Sequence, residues 1–303
     1  MNDFSEHPLI ETDWLADHVT DSNLRIVDMR WRGDGSGREI YQDRHIPGAI
    51  HLDWQRDLNW TDERGVRDLL LPPERFAAVM EAAGISNDLL VVAYAETDHS
   101  GAARLWWALR YYGHNQVAVL NGGWTKWVAE GRVVSTGIPL SMPATFTPVS
   151  RPDWLATADE VERAVNQANP EVRLVDTRPP EQYSGYAIWT PDGSLFLSQG
   201  QDRIEVAGGR VMRAGHIPGA VNMHASTNLN TSDWTYLPAA ELWEKVQKTC
   251  IKPEHRVITY CGVGISASLG LFALYLAGYR DVALYDGSWE EWGTDSKRQV
   301  EKA

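Results

Sequence analysis

Apolar residues in this chain fall into short β-branched runs that alternate with longer stretches at helical spacing. In the first half RIVDMRW (25–31), VVAYA (91–95) and the apolar head of VAVLNGGWTKW (117–127) read as strands, with an amphipathic helix before the last of them. The second half gives RLVDTRP (173–179), VITYC (257–261) and the head of VALYDGSWEEW (282–292), with a helical apolar pattern over 267–277. Short apolar strands alternating with helices predict parallel strands joined by helical crossovers, an α/β architecture.

The pattern is written twice. HIPGAIHLD (45–53) is answered by HIPGAVNMH (216–224), and Asn121 and Asp286, Trp124 and Trp289, and Trp127 and Trp292 share one offset. Internal repetition of this kind predicts two similar domains. Between them STGIPLSMPATFTPVSRPDW places Pro139, Pro143, Pro148 and Pro152 at a spacing that disfavours helix and central strand. The expected boundary lies near residue 145, giving domains 1–145 and 146–303. A Gly-rich, polar and aromatic insertion over 186–213 has no counterpart in the first half and reads as a long loop or small hairpin.

Candidate chemistry concentrates at RVITYCGVGIS (256–266). The β-branched run ends in Cys261, two glycines follow, and a helix begins, which puts a thiol at the carboxyl end of a strand where α/β proteins bind ligands. Gly262 and Gly264 are expected to let the backbone curl, so that amides from Gly262 through Val263, Gly264 and Ile265 to Ser266 form an anion-binding nest. Such a thiol acts as a thiolate nucleophile. The competing reading is a buried core cysteine. Ser266 is either a donor to a bound substrate or a plain first-turn helix residue. Cys250, in the polar stretch QKTCIKPEH, reads as structural.

Composition narrows the function classes. The formal charge of −13 argues against nucleic acid and anionic membrane as partners. Two cysteines are too few for a disulfide framework and point to a reducing compartment, so a cytoplasmic location is expected. No secretory signal or apolar run of transmembrane length is expected from the sequence. The scattered histidines and cysteines lack metal-ligand spacing, and no Walker or Rossmann glycine loop is present, so neither metal nor cofactor is expected.

The two HIPGA segments, the paired VDxR strand ends, the cysteine loop and YDGSWEEW together resemble the tandem two-domain rhodanese family of sulfurtransferases, from about Leu9 to Trp292. The resemblance implies two rhodanese-like domains, each a mainly parallel sheet with helices on both faces. It implies a catalytic second domain using Cys261 and an inactive first copy, where the cysteine's twin is Ala95 or Glu96. It further implies transfer of a sulfane sulfur from a small donor to a thiol or cyanide, or to a thioredoxin-like reductant, through a cysteine persulfide.

The loop pattern C-G-x-G-[VI]-[ST] is similar to that of 3-mercaptopyruvate sulfurtransferases, whereas thiosulfate enzymes place basic residues where Gly262 and Val263 stand. The family's donor-binding arginine aligns with Gln182, and its second arginine with Arg210. First-domain donor contacts would be Asp34 and His45, with Trp31 on a cleft wall. A structural role, bonding the turn after the imidazole, suits His45 equally and is the expected one for His216. A rhodanese-fold phosphatase would need an arginine to close a C-x5-R loop, and Ala267 stands there. A non-catalytic sulfide-sensing or protein-binding module is the remaining alternative.

Overall fold

The computed structural model describes residues 4–139, 144–167, 169–190, 193–198, 200–206 and 209–303. Pro143 of the expected connector, and 191–192, 199 and 207–208 of the expected insertion, lie outside the described residues. Two compact units are present: Met1–Trp60, Leu70–Pro152 and Leu229–Pro238 form one, and Thr61–Leu69, Asp153–Asn228 and Ala239–Ala303 the other. The chain is therefore not divided by one cut, because each half contributes a short segment to the other half's unit.

The strands of the first half are β1 (Leu9–Ile10), β2 (Leu24–Asp28), β3 (Ile50–His51), β4 (Asn59–Trp60), β5 (Leu69–Leu70), β6 (Leu90–Tyr94) and β7 (Val117–Leu120). Apart from the β4–β5 pair they form a sheet ordered β1-β7-β6-β2-β3, with every pairing parallel. The second half contains β8 (Leu155–Ala156), β9 (Val172–Asp176), β10 (Ala187–Thr190), β11 (Gly193–Phe196), β12 (Arg203–Val206), β13 (Arg210–Arg213), β14 (Val221–Asn222), β15 (Arg256–Tyr260) and β16 (Val282–Tyr285). Its sheet, β14-β9-β15-β16-β8, is also wholly parallel and repeats the first order. The insertion supplies two antiparallel hairpins, β10–β11 and β12–β13.

Successive strand side chains point to opposite faces, so a parallel strand covered on both sides reads as continuously apolar. β15 shows why. Ile258 and Tyr260 enter one core with Leu174, Ile217, Tyr285, Trp289 and Trp292. Thr259 points the other way, donating its hydroxyl to the carbonyl of Ala267 (3.2 Å) in the helix Ile265–Leu276. That helix is almost entirely buried, which explains an apolar pattern too continuous for a surface helix. The first core repeats the scheme with Val92, Tyr94, Ala118, Leu120, Trp124 and Trp127.

Register also fixes the equivalence between the halves. Asp28 lies opposite Tyr94, and Asp176 opposite Tyr260. At the strand ends the amide of Trp124 donates to the carbonyl of Ala95 (2.8 Å), as Trp289 does to Cys261 (2.9 Å). The twin of Cys261 is therefore Ala95, not Glu96.

Candidate functional site

The end of β9 is set by a buried ion pair. Asp176 accepts from the amide of Arg178 (2.9 Å) and from its guanidinium (2.6 Å to Oδ2), while the same guanidinium donates to the Gly215 carbonyl (2.7 Å) and lies over Trp289 at 4.4 Å. Burial works against the Arg178 charge. Asp176, and then Tyr260 and Cys261, nevertheless hold its pKa above the ordinary arginine value. Asp28 and Arg30 build the same pair in the first unit, with Arg30 over Trp124 at 4.3 Å.

Cys261 follows β15 and is 2 % exposed. Its amide donates to Ser288 Oγ (3.1 Å), and its carbonyl and that of Gly262 accept from the amides of Trp289 and Glu290 (2.9 Å each). The loop is thereby fastened from below to the turn that opens the helix Ser288–Trp292. Gly264 caps the helix Ile265–Leu276 at φ 79°, a left-handed conformation that suits glycine. Val263 and Ser266 are half-buried, and Ile265 is buried as the first helical residue. The amides from Gly262 to Ala267 find no acceptor among the described residues, so their dipoles remain available to an anion at the sulfur.

Gly262 corrects the sequence reading. Its φ is not left-handed, so loop curvature does not require glycine there. A Cβ would instead lie 2.3 Å from Nε1 of Trp189. The indole of the insertion's first hairpin rests on the loop, and only glycine leaves it room.

The twin loop in the first unit differs at its helix start. The Ser100 amide, at the start of the equivalent helix, donates to Asp98 Oδ1 (2.8 Å), and Glu96 pairs with Arg32. One amide at the helix start is thus already taken by an internal carboxylate.

The other expected site residues divide. Arg210 opens β13 and pairs with Glu290, whose side chain is fully buried. Sequence reading missed the second partner: Arg67, from Thr61–Leu69 in the same unit, donates Nε to Glu290 Oε1 (3.0 Å) and Nη2 to Oε2 (3.3 Å). Two guanidiniums therefore share one carboxylate whose own amide holds the cysteine loop. Gln182 is buried, donates to Ser194 Oγ (2.9 Å), and leaves its Oε1 without a partner among the described residues. It braces the hairpin bearing Trp189, because Ser194 lies opposite Trp189 in the β10–β11 register.

Trp31, Asp34 and His45 lie in the first unit. Trp31 packs against Trp54 at 5.0 Å. Asp34 is exposed, and its carboxylate accepts from the amide (3.0 Å) and hydroxyl (2.7 Å) of Ser36, which lowers its pKa. His45 is 1 % exposed and stacked on Tyr41, with Nδ1 at 2.8 Å from the Tyr41 carbonyl, an arrangement that suits its structural role. His216 repeats this with Tyr183 at 2.7 Å. Cys250 is exposed and not in a disulfide. Among the described residues there is no metal-ligating cluster and no helix long and apolar enough to cross a membrane.

Comparison with known proteins agrees with this architecture. The Rhodanese-like domain family matches residues 11–130 and 157–295. The sulfur carrier protein TtuD of Thermus thermophilus is 36% identical over 95% of this chain and 94% of its own. A putative thiosulfate sulfurtransferase, SseA of Mycobacterium bovis, is 35% identical over 95% and 89%. The crystal structure of the 3-mercaptopyruvate sulfurtransferase SseA of Escherichia coli superposes with a TM-score of 0.77 at 26% identity, covering 93% of this chain and 98% of that one. With two copies of the domain matched over most of its length, the chain belongs to the rhodanese family.

Proposed function

We propose that Cys261 is the sulfur-carrying nucleophile of this sulfurtransferase, with the loop from Gly262 to Ser266 as its anion cradle. The thiolate attacks the outer sulfur of a small donor. An S–S bond forms, the donor's bond to that sulfur breaks, and the remainder leaves with the electron pair. An acceptor thiol or cyanide then takes the sulfane sulfur and restores the thiolate, a two-step exchange. Amides that develop their strongest bonds as charge moves onto the sulfur stabilise both steps. The observation that carries the reading is a thiol at the strand end beside amides without acceptors, where the first repeat has Ala95 and no thiol, and where Asp98 already accepts from the Ser100 amide. The first repeat, 1–145, is the inactive copy.

Donor choice follows from charge placement. Relatives are named for both thiosulfate and 3-mercaptopyruvate. The loop has no cation at Gly262 or Val263, and Gln182 replaces an arginine. Arg67 and Arg210, sharing Glu290, carry one net positive charge near the loop. A compact dianion reacting at its own sulfur is poorly served by that arrangement. A carboxylate set away from the reacting sulfur is well served, which favours 3-mercaptopyruvate or a similar organic donor. The physiological acceptor is a small thiol or a thioredoxin-like reductant, in a reducing compartment such as the cytoplasm. Cyanide trapping of the transferred sulfur as thiocyanate, from each donor, on wild type and Cys261→Ser, tests the reading. Turnover with mercaptopyruvate that vanishes in the variant is expected. No turnover in wild type would favour a sulfide-sensing or protein-binding role.

A further inference from the structure

Residues 71–95 and 237–261 run in register without a gap, from Leu71 and Leu237 to Ala95 and Cys261, so Val79 and Lys245 are twins. The buried pairs Phe76 and Leu242, and Met80 and Val246, turn the helices Pro73–Ala82 and Ala239–Gln247 the same way round. Upstream, HIPGAIHLDWQRD and HIPGAVNMHASTN make Asp57 the twin of Asn228. In the second repeat the Lys245 ammonium reaches across to that position. It donates to Asn228 Oδ1 (2.8 Å), to Thr227 Oγ1 (3.0 Å) and to the Thr227 carbonyl.

In the first repeat Val79 cannot make this bridge, and the acceptor that Lys245 uses is replaced by a carboxylate. An open cavity of about 440 Å³ lies there, in the size range of small-ligand sites. Ile50, Val79, Ala82 and Ile138 give it an aliphatic wall, and its charged lining residues are Arg38 and Asp57, all within the first unit. Asp57 is half-buried; its Oδ2 accepts from the Asp53 amide (2.8 Å), and its Oδ1 has no partner among the described residues. Arg38 is exposed and makes no ion pair or hydrogen bond among them. Two opposite charges, neither ion-paired, beside an aliphatic wall match a zwitterion with an aliphatic chain.

We propose that this cavity binds a small aliphatic amino acid. Its ammonium sits on Asp57, in the place that the Lys245 ammonium fills in the second repeat. Its chain lies along Val79 and Ala82, and its carboxylate meets Arg38. The site belongs to the repeat without a thiol, so the inference stands apart from the role of Cys261.

The test titrates full-length protein with δ-aminovalerate, a zwitterion whose aliphatic stem matches that of lysine, and reads binding by ligand-observed NMR. Valerate, which lacks the ammonium, is the control and is expected to bind more weakly. Val79→Lys rebuilds the arrangement of the second repeat, and should fold with an unchanged or higher Tm while abolishing binding. Asp57→Asn, the residue of the second repeat, keeps an acceptor for the Asp53 amide and should weaken binding about tenfold, the loss of one charge-assisted hydrogen bond. Arg38→Gln should weaken it similarly. Wild type that binds no δ-aminovalerate, or a folded Val79→Lys that binds it as wild type does, overturns the site. Should Val79→Lys not fold, Asp57→Asn decides: unchanged affinity there, or valerate bound as tightly as δ-aminovalerate, overturns the proposal.

Discussion

The hydroxyl oxygen of Ser288 accepts the amide hydrogen of Cys261 at 3.1 Å and donates its own hydrogen to the carbonyl of Tyr285 at 2.9 Å. Ser288 holds this place at φ 50°, in the left-handed region that side chains avoid. Its twin is Gly123, at φ 51°, beside Ala95. Serine thus stands where the first repeat uses glycine, accepting backbone strain so that a hydroxyl can fix the cysteine loop.

Substitution separates the two effects. Ser288→Ala keeps the strain and leaves a buried amide unpaired, and should cost about 2 kcal/mol. Ser288→Gly loses the same bond but relieves the strain, so its Tm should lie above that of Ser288→Ala. Both should transfer sulfur more slowly than wild type. Equal Tm values for the two variants would contradict the strain assignment; denaturation and cyanide trapping measure both quantities.

Arg67 and Arg210 are expected to behave non-additively, because either can still neutralise the buried Glu290 when the other is gone. Each single change to Gln should raise KM for mercaptopyruvate by about tenfold, the scale of one charge-assisted bond, with a modest stability loss. The double variant leaves a carboxylate buried without a cation and should lose more stability than the two singles together. Additive urea midpoints would show that Glu290 is not shared.

His99 gives the first unit an acid sensitivity. It is fully buried, its Nε2 lies 2.7 Å from the Trp234 carbonyl, and burial lowers its pKa below 6.5. The unfolded chain then binds a proton near 6.5 that the folded chain refuses. Stability is thus full above the unfolded value and falls as pH drops through about 6.5 toward the lowered folded value, levelling off below it. His114, also lowered by burial, acts in the same direction. His99→Gln should flatten the stability profile between about pH 7 and pH 5. An unchanged slope would remove His99 as a contributor.

Much of this was legible in the residues because periodicity and repetition report local structure. The parallel sheets, the strand-end cysteine and the Asp176–Arg178 pair follow from β-branched runs and doubled motifs. The one-residue ambiguity between Ala95 and Glu96 could not be resolved without strand register, since the repeats drift by one residue after the loop. Trp189 and Arg67 left no such signal: neither has a twin, and both reach the loop through tertiary placement of an insertion or a short segment. Ser288 did leave one, a serine aligned with glycine at the shared offset of the tryptophans. The glycine at 262 was legible as glycine but not for its reason, which is the indole packed on it.

The central claim is that sulfur resides on Cys261. Intact and peptide mass spectrometry of wild type, Cys261→Ser and Cys250→Ser after incubation with mercaptopyruvate tests it directly. One sulfur atom should appear on the peptide containing Cys261, persist in Cys250→Ser, and be absent from Cys261→Ser. Sulfur on Cys250, or retained by Cys261→Ser, would contradict the account.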